Sequence, residues 1–198
     1  MSGWPKIGDS FLAVGSESET DAQLCAHSDW FIAYAMNYKV AADSVVESVE
    51  AKRVSPDAVG YAVCFLYRHY IEVMLKGLIR IGNMLQSRSG DFPNDHHRIK
   101  DLWQACRPLL EEACPDGEKT DTDAVEKCLK ELHKLDPSGV AFRFGEAKDG
   151  NSTLPHVLQL NLANMRDVMD RLAGFLEGSY DWMYELVQYQ ADVDSESH

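Results

Sequence analysis

Two short stretches of the sequence hold the side chains best suited to chemistry. In the first, Arg68 stands beside His69 and is followed at four-residue steps by Glu72, Lys76 and Arg80. This spacing places the four charged residues along one face of a helix. The favoured interpretation is a charge ladder solvated at the surface. The alternative is a polar seam against another helix or a partner.

His69 has a structural interpretation as well. It follows the arginine on a helix whose apolar stripe includes Tyr70. A histidine in that position is more often a hydrogen-bonded residue at the core or its edge than a catalyst.

The second stretch groups His96, His97 and Arg98 just before the apolar residues of another predicted helix. A helix N-terminus offers unpaired N–H groups and favours anions. His96 or His97 can therefore bind a phosphate or act as a general acid or base. The alternative is that one histidine closes the loop and the other is solvated.

Other common signatures are absent from the sequence. It has no glycine-rich phosphate loop, no dinucleotide-binding turn, no nucleophile elbow and no His-Glu-x-x-His pair. The five cysteines include no Cys-x-x-Cys pair, and the separation of Cys128 from His133 splits the two around a helix. We therefore predict reduced thiols, no metal site and no cofactor.

The charge balance excludes some partners. The net charge is −13, so duplex DNA is not an expected ligand. Residues 68–107 are mildly basic against this background, which fits either a solvated helix face or a site for a local anionic ligand. No apolar run is long enough for a membrane span, and no secretory signal is visible, so the sequence predicts a cytoplasmic protein without a membrane partner.

The elements that must position these residues are helices. Apolar residues recur at three- and four-residue steps through most of the chain. We predict an irregular arm over residues 1–27, a single domain over 28–190 and a flexible tail over 191–198. Trp4, Ile7, Phe11 and Leu12 of the arm are expected to dock on the core.

The predicted helices cover about residues 29–52, 55–86, 96 onward, 122–135 and 161–189. Ser55 and Pro56 mark the start of the second helix, and Pro108 is expected to kink or end the third. Gly77 and Gly82 either let another helix approach the second closely or mark its early end. Residues 136–139 form a predicted turn and 140–144 an extended segment. The predicted fold is all-α, an antiparallel bundle of about five helices, two of them long.

Three motifs together resemble a branch of the bacterial HEPN-like proteins. They are Tyr67-Arg68-His69-Tyr70-Ile71-Glu72 with Leu75-Lys76, His97-Arg98-Ile99-Lys100-Asp101-Leu102-Trp103, and Asp136-Pro137-Ser138-Gly139-Val140-Ala141-Phe142-Arg143-Phe144. The resemblance covers roughly residues 60–176. It implies a small helical bundle, often a homodimer, in a toxin–antitoxin, abortive-infection or other antiviral system. Active members of the superfamily are metal-independent ribonucleases whose signature is an arginine, four to six residues, then a histidine.

This sequence departs from that signature, because no arginine is followed by a histidine at the required distance; Arg88 and His96 come nearest. The catalytic pair therefore cannot be transferred to any position. Two sets of candidates remain. The candidates for a catalytic site whose residues come together only in the folded chain are Arg68, His69, His96, His97 and Arg143. Those for a ligand or partner face are Glu72, Lys76, Arg80 and Arg98.

The leading hypothesis is a HEPN-like interaction or regulatory component of a bacterial defence or toxin–antitoxin system, without catalysis. It predicts a homodimer and a protein partner from the same operon. One alternative is a divergent metal-independent endoribonuclease that uses the arginine and histidine candidates. The other is a helical bundle that binds a small ligand or a nucleotide.

Overall fold

In the residues that it describes, a computed structural model shows five helices around one core. It describes residues 4, 7, 19, 21–22, 24, 30–88, 93, 97–146, 149–154 and 159–196. The helices are α1 (Trp30–Glu50), α2 (Pro56–Leu85), α3 (Ile99–Ala113), α4 (Lys119–Leu135) and α5 (Leu162–Glu196). The predicted all-α bundle is therefore confirmed. None of the helices in the described part of the chain is long and apolar enough to cross a membrane.

Helix α2 forms the centre of the bundle. It packs against α1, α3 and α5, while α4 packs mainly on α3. The middle of α2 is buried on nearly every side, and Tyr70, Ile71, Met74, Leu75 and Leu78 are inaccessible to solvent. A helix that is buried all round can place polar residues away from water, and α2 does so with Arg68 and Glu72.

Two glycines of α2 allow its neighbours to approach closely. A Cβ atom on Gly77 would lie 3.1 Å from Cδ1 of Ile32 on α1. A Cβ atom on Gly82 would lie 2.9 Å from Cβ of Leu109 on α3. Helix α2 continues past both positions to Leu85, so close approach, rather than an early end, explains these glycines.

Three helix boundaries differ from the sequence prediction. Helix α3 begins at Ile99 rather than His96 and runs through Pro108 to Ala113. Proline removes one helical hydrogen bond, but Pro108 is exposed, so water can bond the carbonyl group left free. Helix α4 begins earlier than predicted, at Lys119, and α5 continues to Glu196 through most of the segment predicted as a tail.

The segment after α4 also corrects a prediction. Residues 136–139 turn as expected, but residues 140–144 are not extended. The N–H groups of Arg143 and Phe144 both donate to the Val140 carbonyl oxygen, which folds the segment into a second turn. The Arg143 side chain thereby reaches back to the carbonyl oxygen of Gly139.

The N-terminal arm was expected to dock through four apolar residues. Trp4 and Ile7 are fully exposed instead, so that expectation is wrong for them, and Phe11 and Leu12 lie outside the described residues. The four cysteines that the structure describes are Cys64, Cys106, Cys114 and Cys128, and none of these four is in a disulfide.

Candidate functional site

Arg68 is the centre of a buried charge cluster. Its side chain is 2% exposed, and Nη1 donates to Oε2 of Glu72 at 2.5 Å. Nη2 donates to the main-chain carbonyl oxygen of His97, just before α3. Nε lies 3.3 Å from Oδ2 of Asp136, without the alignment of a hydrogen bond, so this contact is ionic. One guanidinium thus joins α2 to the start of α3 and to the end of α4.

Asp136 is fixed from the opposite side by main-chain groups. Its Oδ1 accepts hydrogen bonds from the N–H groups of Val140 and Ala141, at 2.9 and 3.0 Å. The carboxylate is fully buried. One oxygen of Asp136 therefore accepts the hydrogen bonds that hold the turn, and the other offsets the positive charge of Arg68.

Gly139 closes the site beneath the guanidinium. Its φ of +75° lies in the left-handed region, which favours glycine. A Cβ atom there would lie 3.0 Å from Cζ of Arg68. The Asp136–Gly139 turn therefore depends on glycine both for its conformation and for its contact with Arg68.

Glu72 accepts three hydrogen bonds on its two oxygens. Besides Arg68, Lys76 Nζ donates to Oε1 at 2.8 Å, and His97 Nδ1 lies 2.9 Å from the same oxygen. Burial alone would raise the pKa of this carboxyl group. The hydrogen bonds from Lys76, His97 and Arg68 outweigh burial and lower the pKa of Glu72 to about 2.

His69 lies beside the cluster, in contact with two aromatic rings. Its ring stacks on Phe65, with centroids 5.6 Å apart, and meets Tyr38 of α1 edge-on at 4.4 Å. Burial lowers its pKa; the negative charge of Glu72 opposes this effect, and the positive charges of Arg68, Lys76 and Arg143 add to it. The neutral ring is thereby favoured. His69 thus lies at the edge of the core, where the structure shows ring contacts to Phe65 and Tyr38 rather than the hydrogen bond of the structural interpretation.

The exposed edge of the cluster consists of His97 and Arg143. The His97 side chain is 59% exposed although it contacts Glu72. Arg143 is exposed, donates through Nε to the Gly139 carbonyl oxygen at 2.7 Å, and lies over the Phe144 ring. Within the cluster, these two side chains are the ones that solvent, or a ligand, can reach most directly.

The structure unites some predicted candidates and separates others. Arg68, Glu72, Lys76 and His97 are in direct contact, and Arg143 joins them through Gly139. His96 lies outside the described residues.

Two members of the proposed partner face have other contacts. The Arg80 guanidinium lies 5.9 Å from the centroid of Phe31, and Arg98 pairs with Asp101 at 3.4 Å.

The prediction of a solvated ladder is wrong for Arg68 and Glu72, which are buried. Four-residue spacing identifies a common face but not whether that face is covered. Sequence reasoning also missed Asp136 as the second carboxylate. Asp136 entered the sequence analysis only as part of a predicted turn and of the third resemblance motif, and neither points to a buried arginine 68 positions earlier.

The described part of the chain contains no group of three or more His, Cys, Asp or Glu side chains arranged to hold a metal ion. No protein-family model, curated protein or solved structure matches this chain.

Proposed function

We propose that the protein is a HEPN-like interaction or regulatory component of a bacterial antiviral-defence or toxin–antitoxin system, and that it does not cleave RNA itself. The observation that carries this proposal is the burial of Arg68. Its guanidinium is committed to Glu72, Asp136 and the His97 carbonyl group.

Metal-independent RNA cleavage makes two demands on side chains. A histidine must take the proton of the 2′-hydroxyl group, and a cation must stabilise the charge that develops on the phosphate. Arg68 cannot meet the second demand without withdrawing its charge from two buried carboxylates, Glu72 and Asp136. Breaking a buried ion pair costs several kcal/mol, on the order of 3–5. His69 is held between Phe65 and Tyr38, away from a freely accessible position.

Exposed apolar side chains support a protein partner. Large apolar residues are exposed on α1 and along the distal half of α5; they are Tyr34, Met36, Val40, Trp182, Tyr184, Tyr189 and Val193. Single exposed apolar residues are ordinary, but a series along one helix is typical of an interaction surface. The homodimer and the operon partner implied by the family resemblance stay predictions.

The deciding experiment is an RNA cleavage assay. Purified protein is incubated with total RNA and with tRNA in excess chelator, beside the variants His97→Ala and Arg143→Ala. We expect no cleavage by any of the proteins. Cleavage by the unmodified protein that either substitution abolishes would overturn the proposal. Arg80→Ala, which leaves the cluster intact, is the matched control.

A divergent metal-independent endoribonuclease is the second candidate, because one observation favours it. His97 and Arg143 are both exposed at the edge of the same cluster. In that case His97 would exchange the proton and Arg143 would bind the phosphate, while Arg68 would hold both in place. The same assay tests this function, since both substitutions should then abolish cleavage while Arg80→Ala should not.

A further inference from the structure

The distal half of α5 carries a second apolar stripe, distinct from its core face. Trp182, Leu186, Tyr189 and Val193 recur at steps of four and three residues and therefore share one face of the helix. Met183, by contrast, is buried in the core. Trp182 is 48% exposed, Tyr189 69% and Val193 44%. A monomer has no structural need for a regular stripe of this kind on its surface.

Residues of the stripe line three recesses that follow one another along α5. One recess of about 360 Å³ lies between α5, the end of α3 and the start of α4. Two further recesses lie between α5 and the end of α2. We call these recesses together the distal α5 groove; its floor residues are Phe175, Trp182, Leu186, Tyr189 and Val193.

The upper part of this groove has a fixed shape. The Trp182 indole N–H donates to the carbonyl oxygen of Ala113, the last residue of α3, at 3.2 Å. Nearby, Gly174 and Gly178 line the same recess, and a Cβ atom on either would have open space around it. Bare backbone at these two positions lets another chain approach α5 closely.

The groove has an acidic border on both sides. Asp181, Glu185 and Asp192 each precede a stripe residue by one position, so they form one edge, and all are exposed. Residues 172–196 contain no lysine or arginine. Across the groove lie the exposed acids Glu111, Glu118 and Asp121. The basic residues on that side are Lys119 and Arg88, and Arg88 is paired with Glu112.

We infer that the distal α5 groove binds a basic amphipathic helix of a partner protein. Apolar side chains of that helix would pack on the floor, and lysine or arginine residues beside them would face the two acidic borders. From Gly174 to Val193 the groove spans about 28 Å, the length of about 20 helical residues. This inference rests on the proposed function, since it specifies the chemistry of the partner that an interaction component would bind.

Charge argues against a second copy of the chain as the occupant. In a two-fold contact, the same surface faces itself. The acidic edge of one α5 would then lie against the acidic edge of the other, and like charges across an interface are unfavourable. A basic partner would instead place positive charges against the acidic borders, and opposite charges across an interface are favourable.

The test uses the full-length protein and a labelled helical peptide of about 20 residues, the length that fits the groove. Leucines at three- and four-residue steps form its apolar face, and lysines flank them. A second peptide has glutamate in place of every lysine. Fluorescence anisotropy measures binding of each peptide over a range of salt concentrations. We expect the lysine peptide to bind, more weakly as salt increases, and the glutamate peptide not to bind.

Two groove variants locate the binding site. Leu186→Ser/Tyr189→Ser removes part of the floor, and Asp181→Lys/Glu185→Lys/Asp192→Lys reverses one border. Each should weaken binding by at least about tenfold. The matched control Glu47→Lys/Glu131→Lys/Asp167→Lys makes the same change in net charge at exposed positions outside the groove, and should retain more than half of the affinity. Circular dichroism checks that each variant folds.

Several results would overturn the inference. They are no binding of the lysine peptide up to about 1 mM, equal weakening by both charge-reversal triples, or a homodimer that Leu186→Ser/Tyr189→Ser dissociates. RNA cleavage in the separate assay would overturn the proposed function and leave the binding result standing. The two failures are therefore distinguishable.

Discussion

Arg68 is stabilised inside the protein only because two carboxylates and a carbonyl group surround it. An isolated buried charge is very costly, and a buried pair offsets that cost only with good geometry and further hydrogen bonds. Glu72 meets this requirement through its bonds to Arg68, Lys76 and His97. Each buried charge of the cluster is therefore stabilised by the others, and removing one of them destabilises those that remain.

The first prediction tests this dependence. Glu72→Gln leaves Arg68 with one carboxylate, and we expect the free energy of unfolding to fall by about 3–5 kcal/mol. Urea denaturation followed by circular dichroism measures the change. The control is Glu112→Gln, whose partner Arg88 is about half exposed, and its effect should stay within about 0.5 kcal/mol. Similar effects of the two substitutions would mean that the cluster is not a stabilising unit.

Gly139 gives the second prediction at this scale. Gly139→Ala places a side chain at a left-handed φ and against the Arg68 guanidinium. The conformation alone costs roughly 1–2 kcal/mol, and the contact adds to it. Gly145→Ala, where a Cβ atom meets nothing within 4 Å, is the matched control and should be close to neutral. Thermal unfolding compares the two, and equal melting temperatures would show that the turn adjusts without strain.

Between elements, the contact of α2 with α3 depends on Gly82. We expect Gly82→Ala to destabilise the fold by about 1–3 kcal/mol, because the new methyl group would press on Leu109 of α3. Gly60→Ala on the same helix meets open space and should stabilise it by about 0.5–1 kcal/mol. Urea denaturation of both variants gives opposite signs if the close approach is real. Stabilisation by both substitutions would show that α3 can move away freely.

Local patterns predicted the helices well. The Ser55-Pro56 start and the unbroken apolar spacing placed α2 to within a residue at either end. Helix α5 was predicted too short because the polar residues after Tyr189 resemble a tail, although nothing in residues 190–196 breaks a helix. Pro108 was overrated as a helix terminator because its exposure could not be read from the sequence.

The candidate site could be predicted only in part. Spacing on α2 identified Arg68, Glu72 and Lys76 as one face, but burial depends on which elements cover that face. Asp136 and Gly139 reach Arg68 only after the chain has folded back through α3 and α4. Such a pairing over a long stretch of sequence leaves no periodic pattern, so it could not be found from one chain.

Several groups in the molecule have a lowered pKa and make stability depend on pH with the same sign, and two of them, Glu72 and His69, lie at the Arg68 cluster. The lowered pKa of Glu72 means that its ionised form stabilises the fold above its ordinary pKa of 4.5, by roughly 3 kcal/mol, and that this is lost as the pH falls toward 2. His69 has a folded pKa below 6.5, so the unfolded chain binds its proton first as the pH falls. Stability should therefore decrease on acidification, first below about 6.5 and again below 4.5.

His69→Phe separates these two steps. Phenylalanine keeps an aromatic ring between Phe65 and Tyr38 but does not titrate. We expect the variant to lose less stability than the unmodified protein between neutral pH and the onset of the Glu72 step. Urea midpoints at a series of pH values measure this. An unchanged pH profile would indicate that His69 titrates equally in the folded and unfolded chain.

The position of Arg68 at the junction of α2, the residue before α3 and the turn after α4 has a consequence for how the protein opens. Helix α4 rests mainly on α3 and would otherwise be the element most readily released alone. Asp136 follows its last helical residue and ties it to α2. The main-chain amides of Val140 and Ala141, bonded to Asp136, should then exchange their hydrogens with solvent as slowly as those in the middle of α2. One guanidinium thereby merges segments that are far apart in sequence into a single cooperative unit.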